Sequence, residues 1–330
     1  MLRLILSRTL QGIIVLFVVS MLTFALLAAA GGDALTALRN NPLVEAETIE
    51  RQSRLYGLDQ PLTVRYGRWL AGVVSGDMGW STSTNTPVWT IIKPRLPNTL
   101  MLAALALLIA WTIALTLGSV AARRAGGLVD KLCGALILLT SSAPRIVLAL
   151  VALAFAARTS LFSLGAETKS VGGALLNLIL PAFVLSVPLI ALFLAQVREG
   201  LGSALREEFV QVARAKGLSE RAVTLRHALR AALNPLITIF GYSLGGLISG
   251  SVIVESVFGL NGLGYLSVGA LASRDVPLLM GVVLITSTAV LIGNLIADIM
   301  LRLNDPRLRE DETRTAAAGV RAPAAVLNKR

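Results

Sequence analysis

Six stretches of this chain are apolar for long enough to cross a lipid bilayer, and this limits its fold more than any other feature. They cover residues 9–30, 97–122, 132–157, 171–197, 231–254 and 276–301. A helix needs about 20 consecutive apolar residues to cross ~30 Å of hydrocarbon. Backbone polar groups in hydrocarbon must be satisfied within the segment, so each stretch is read as a helix. None shows the period-2 alternation of a membrane barrel. The expected fold class is all-α, a polytopic membrane bundle of six transmembrane helices. The first stretch follows Arg3 and Arg8 as a secretion signal would, but it exceeds the ~7–15 apolar residues of such a signal and is read as a retained helix. Composition agrees: 55% of the 330 residues are hydrophobic, 15% are charged, and the mean hydropathy is +0.74. A single soluble core of this length does not bury so much apolar surface.

The net charge of +11 is read as membrane orientation. Arg3 and Arg8 precede the first span, and Arg123, Arg124 and Lys131 lie between the second and third. A run from Arg198 to Arg230 lies between the fourth and fifth, and Arg302, Arg307 and Arg309 follow the sixth. These segments alternate so as to share one side, which the positive-inside rule assigns to the cytoplasm together with both termini. The expected division is residues 1–30 for the N-terminus and first helix, 31–96 for an external segment, 97–303 for the transmembrane core and 304–330 for a cytoplasmic tail of low order. In the external segment Asn41 and Pro42 suit a helix start and Gly57 a helix stop, and a second helix is expected over residues 61–74. Trp69 and Trp80 suit a membrane interface or core packing equally.

Residues 198–230 form the one long loop on the expected cytoplasmic side, yet they carry helix signals. Ser203 is expected to cap a helix whose early turns hold Glu207 and Glu208. Leu205, Phe209, Val212 and Lys216, with Ala213 beside them, make a narrow stripe flanked by Arg206, Gln211 and Arg214. Gly217 can supply a left-handed stop, and Ser219 can cap the next helix. Such a stripe suits a partner groove or the ends of the chain's own helices. A DNA-reading helix-turn-helix fits less well, because spans begin close on either side.

The run from Glu207 to Leu218 (EEFVQVARAKGL), followed by Arg226-His227-Ala228-Leu229-Arg230 and Pro235, resembles the "EAA" loop of binding-protein-dependent ABC importers, most closely the oligopeptide/dipeptide branch. Gln211, Val212 and Arg230 depart from the broad consensus. Leu58 to Leu62, Gly76-Asp77-Met78-Gly79 and Arg95 to Leu100 resemble the external segment of the B-type permease of that branch. Glu255, Phe258, Gly262-Leu263-Gly264, Arg274-Asp275 and Pro277, then Asn294, Asp298 and Asp305-Pro306-Arg307, resemble the end of its chain.

The resemblance implies a type I ABC importer permease fold. It assigns ATPase coupling to Glu208, Phe209, Val212, Ala213, Arg214, Ala215, Lys216 and Gly217. The implied partners are two ATP-binding subunits carrying ATP and magnesium, a second (C-type) permease and an external solute-binding protein. Dipeptides, oligopeptides, glutathione and nickel are all cargoes of the branch.

The chain has no GxxxxGK[ST] loop, so ATP is expected on partners and no cofactor on this chain. Arg145 is a full charge inside an apolar stretch, read either as a cation lining the translocation pathway or as a structural pair. Glu255, Phe258, Gly262 and Gly264 are read as part of an outer gate, with an ordinary surface loop as the alternative. Asp298 is expected beside Arg302. A secondary transporter would need more carboxylates within the spans. An enzyme would need a base, and the single histidine, His227, sits among arginines, so no catalytic residue is assigned. One histidine and one cysteine, Cys133, leave no metal constellation and no internal disulfide.

Overall fold

The computed structural model describes residues 2–31, 33, 35–39, 44–159 and 171–304. Its regular structure is helical, with one isolated bridge between Trp80 and Pro87. In chain order the helices are α1 (Leu2–Ala29), α2 (Thr36–Arg39), α3 (Ala46–Leu55), α4 (Leu62–Val74), α5 (Val88–Ile92), α6 (Leu96–Arg123), α7 (Leu128–Ser142), α8 (Arg145–Arg158), α9 (Val171–Ala204), α10 (Glu208–Ala215) and α11 (Glu220–Ala222). A π-helical turn (Val223–Ala228) leads into α12 (Leu229–Phe258), followed by α13 (Leu263–Ala272) and α14 (Val276–Asn304). Asn41, Pro42, Asp305, Pro306, Arg307 and the tail lie outside the described residues.

Among the described residues five helices are long and apolar enough to cross a membrane, and the bent pair α7–α8 makes a sixth crossing if counted as one. The third apolar stretch is therefore not a straight helix as expected. Its two halves meet at 101°. Pro144 is the cause: its missing N–H ends the ladder, and it forces the preceding Ala143 into an extended conformation, with ψ 122°.

The core centres on α6 and α9. On α6 the residues Leu102, Ala106, Ala110, Ala114 and Gly118 repeat every four positions and are buried. Their small size lets the α9 backbone approach closely. A Cβ added at Gly118 would lie 2.7 Å from Val197 Cγ1. α12 packs on α9 and α14, while α1 lies outside against α14. Arg8 fixes that contact through an ion pair to Asp298 of 2.6 Å. Asp298 thus pairs across helices with Arg8, a partner the sequence reading did not find.

The segment between α1 and α6 carries α2 to α5. Gly57 ends α3 with φ +63°, as expected, and the amide of Leu58 donates to the Ser53 carbonyl at 2.9 Å. Trp69 stacks on Tyr66, whose hydroxyl lies 2.9 Å from Ser20 Oγ of α1, so α4 is pinned to α1.

Candidate functional site

At one end of the bundle two helices are longer than a bilayer requires. The segment Glu220–Phe258 has 39 residues, about 58 Å at 1.5 Å per residue against a hydrocarbon thickness of ~30 Å. α9 has 34 residues. α9 ends and this segment begins at the same end of the bundle, where α10 connects them and packs on both. α9 continues through Ser203 to Ala204, so Ser203 lies in its last turn and caps nothing, contrary to expectation. The burial of Leu201 and Ala204 holds that turn together. The chain turns at Leu205–Arg206, and Glu207, with ψ 151°, takes the N-cap position of α10. Ser219 does cap the next helix, accepting from the amide of Ala222.

The two faces of α10 have different surroundings. Val210 (0% exposed) and Ala213 (5%) pack inward with Leu201, Val223, Ala228 and Ala232. Phe209 (45%) and Val212 (54%) face outward beside Glu208, Ala215 and Lys216. The inward face fastens the helix to its own chain, and the described residues do not cover the outward face. Ala213, expected among the coupling contacts, is therefore covered by this chain. Gly217 ends α10 at φ +79°, with its amide on the Arg214 carbonyl (2.9 Å). Arg214 donates to both carboxylate oxygens of Glu220, at 2.8 and 3.2 Å. These bonds hold the Glu220 carboxyl below its ordinary range. Gly217→Val would place a β-branched residue in a left-handed conformation. That costs about 1–2 kcal/mol locally and strains the end of α10 while the bundle stays folded, a small loss of stability that thermal unfolding measures.

Arg145 opens α8 immediately after the break. Its Nη1 donates to the Gly246 carbonyl at 3.2 Å, and a Cβ at Gly250 would come within 2.9 Å of it. The guanidinium therefore lies on a glycine face of α12 and links that helix to the broken pair.

At the opposite end of the bundle, α13 has 10 residues, too short at about 15 Å to cross. Glu255, 1% exposed, accepts from Thr99 Oγ1 of α6 at 2.8 Å and from the Tyr265 amide of α13 at 3.0 Å. Thr99 Oγ1 also accepts from the Leu263 amide at 2.8 Å. The carboxylate thus sits at the start of α13, where unpaired amides favour it. Gly262 and Gly264 leave room for it, since a Cβ at either would crowd Glu255 Oε2, and at Gly264 it would also meet Val252 Cα at 2.6 Å. Phe258 is buried beneath.

The comparisons with known proteins bear on what this arrangement serves. Residues 114–310 match the family described as the inner membrane component of binding-protein-dependent transport systems. The chain belongs to this family. Residues 1–103 match the N-terminal part of the membrane component of the same systems. The permease is 35% identical over 311 residues to the oligopeptide transport system permease protein AppB of Bacillus subtilis, covering 92% of this chain and 98% of that one. It is 32% identical over 310 residues to the dipeptide transport system permease protein DppB of Lactococcus lactis, covering 94% and 100%. A putative peptide permease protein of Brucella suis is 35% identical over 318 residues, covering 94% and 99%.

Besides Arg8–Asp298, three polar clasps of the permease escaped the sequence reading. Asp130 accepts from the Gly126 amide and pairs with Arg198, tying α7 to α9. Asn304 donates to Asn234 at 2.5 Å, tying α14 to α12. Asp275, fully buried, accepts from Ser81 Oγ at 2.5 Å, from the amide and hydroxyl of Ser83 at 3.1 and 2.7 Å, and from the Leu278 amide at 3.1 Å. Aspartate before Val276-Pro277 is a helix-start signal that could have marked this last one.

Burial pushes the Asp275 carboxyl up, but the hydrogen bonds from Ser81, Ser83 and Leu278 outweigh it and leave it below the usual range. A lowered folded value means that this carboxylate stabilises the protein above the unfolded value of about 3.9. The contribution fades as pH falls through the lower folded value. Asp275→Asn should cost about 1–3 kcal/mol at neutral pH by leaving a buried donor unpaired. It should also lose less of its unfolding temperature than the parent between pH 7 and 3, as measured in detergent.

Proposed function

We propose that this permease is one of two membrane halves of an ATP-driven peptide importer, moving cargo from outside to cytoplasm by alternating access. The exposed Phe209–Val212–Lys216 face of α10 carries this reading. α10 is short and clamped to α9, to the π-helical turn and to α12, so a push on its outer face reaches three elements at once. In this reading the α10 end and both termini are cytoplasmic. Two ATP-hydrolysing subunits bind ATP and magnesium, and one of them receives α10. A second permease completes the pathway, and a solute-binding protein delivers peptide from outside. The printed names of the relatives support peptide as the cargo.

Glu208, Phe209, Val212, Ala215 and Lys216 are assigned to docking. Ala213, Arg214 and Gly217 set the position of α10. Glu255, Phe258, Gly262 and Gly264 hold α13 as a rigid outer gate element. Arg145 is assigned to positioning the broken helix against α12. Arg145→Gln should lower the transport rate about tenfold with KM little changed, the pattern of a group that acts outside substrate binding. A raised KM at unchanged kcat would instead make Arg145 a substrate contact.

The full complex in proteoliposomes should take up peptide with ATP and not with an ion gradient alone. Uphill uptake by this chain without its ATP-hydrolysing partners would overturn the reading.

A further inference from the structure

At the end of the bundle opposite α10, a cavity of about 470 Å³ lies between the end of α1, the start of α14, helix α4 and the turn that follows α3. Its depth in the membrane follows from the chain. α1 ends at Ala29 and α14 begins at Val276, so the cavity sits where apolar spans give way to headgroups. One wall is apolar, formed by Phe24 and Leu27 of α1 and Met280 of α14. It continues onto the outer surface of α1, where Leu22 and Leu26 are exposed and α1 has few protein neighbours.

The opposite wall is one face of α4. Leu62, Arg65, Arg68, Trp69 and Gly72 recur there at helical spacing. Of the four lining arginines, Arg39 is paired with Asp33 at 2.8 Å, and Arg274 donates to the Gly31 carbonyl and Thr36 Oγ1. Asp77 accepts from the Gly79 amide. Arg65 lies 5.9 Å over the Phe24 ring, and neither Arg65 nor Arg68 faces a carboxylate partner among the described residues. Among the described residues four buried side-chain polar atoms lack a hydrogen-bond partner, and three of them line this cavity: Gln60 Oε1, Trp69 Nε1 and Thr82 Oγ1. Buried polar atoms are rarely left so, and their clustering in one place points to a ligand.

We propose that this cavity binds the headgroup of an anionic phospholipid, with an acyl chain lying along the exposed face of α1. Two guanidiniums, an indole N–H and a hydroxyl are donors suited to phosphate oxygens. The Gln60 carbonyl oxygen suits a headgroup hydroxyl, which makes phosphatidylglycerol a fitting probe. Inorganic phosphate shares the anion chemistry but leaves the apolar wall unused. The stacked Tyr66 and Trp69 fit the aromatic belt found at this depth.

Native mass spectrometry of the complete transporter, equilibrated with equal phosphatidylglycerol and phosphatidylethanolamine, tests the proposal. The parent should retain phosphatidylglycerol about tenfold over phosphatidylethanolamine, a difference of about 1.4 kcal/mol, and excess inorganic phosphate should not displace it. Arg65→Gln with Arg68→Gln should bring the two lipids to parity. Arg51→Gln, on an exposed arginine outside the cavity, should bind like the parent. An unchanged unfolding temperature of the double variant in lipid-free detergent separates lost binding from lost fold. Equal retention of both lipids by the parent, full retention by the double variant, or displacement by inorganic phosphate would overturn the assignment.

Discussion

Phe209→Asp and Val212→Asp should each reduce ATP-driven uptake by about 100-fold, which corresponds to roughly 2.7 kcal/mol. Both side chains are about half exposed and cap the uncovered face of α10. An apolar side chain at the centre of a docking surface is where interface energy concentrates, and a carboxylate there would be desolvated without a partner. Stability should change by no more than about 0.5 kcal/mol, as for other surface positions. That pairing of effects is diagnostic, since on a helix serving only its own chain such exposed substitutions would leave uptake unchanged as well. Ala213→Leu should behave in the opposite way. Its site is filled by Leu201, Val223 and Ala228, so overpacking costs about 1–3 kcal/mol and the loss of transport follows the loss of fold. Uptake in proteoliposomes beside thermal unfolding in detergent separates the two classes.

The second large effect is at the other end of the bundle. Glu255→Ala should destabilise the protein by about 3–5 kcal/mol, from an unpaired buried donor and the cavity left behind. Glu255 joins α6, α12 and α13 through Thr99 and Tyr265. Gly264→Ala should cost about as much, because the added methyl would meet backbone, at 2.6 Å from Val252 Cα, where no side-chain rotation gives relief. Gly269 has open space at its Cβ position, so Gly269→Ala is the control and should unfold near the parent temperature. If Glu255→Ala and Gly264→Ala also unfold near the parent temperature, α13 is not held by this carboxylate, and its assignment as a rigid outer element fails with it.

Most of the bundle could be read from the sequence, because lipid permits so few solutions. A stretch of about 20 apolar residues in hydrocarbon is a helix whatever its neighbours do. The break in the third stretch had its own signal in Pro144, but an unbroken apolar run on both sides conceals a change of direction. The stop of α10 was legible at Gly217 because a positive φ is a local demand that glycine meets. Its start was not. Ser203 has the chemistry of a cap, but the burial of Leu201 and Ala204 extends α9 past it, and burial of that kind depends on partners distant in sequence. The same limit hid the clasps. Ser81 and Asp275 are 194 residues apart and Arg8 and Asp298 are 290 apart, and no local pattern announces such pairs. The candidate docking stripe was read as Leu205, Phe209, Val212 and Lys216 with Ala213 beside them, whereas the structure turns Ala213 inward together with Val210 and leaves Phe209 and Val212 outward.

A photo-crosslinking amino acid placed in turn at Val212 and at Val210, in the assembled and ATP-hydrolysing transporter, tests the account at its centre. Position 212 should give a strong crosslink to an ATP-hydrolysing subunit, and position 210 only products within this chain. Crosslinks from position 212 confined to this chain or to lipid, in a complex that still imports peptide, would contradict it.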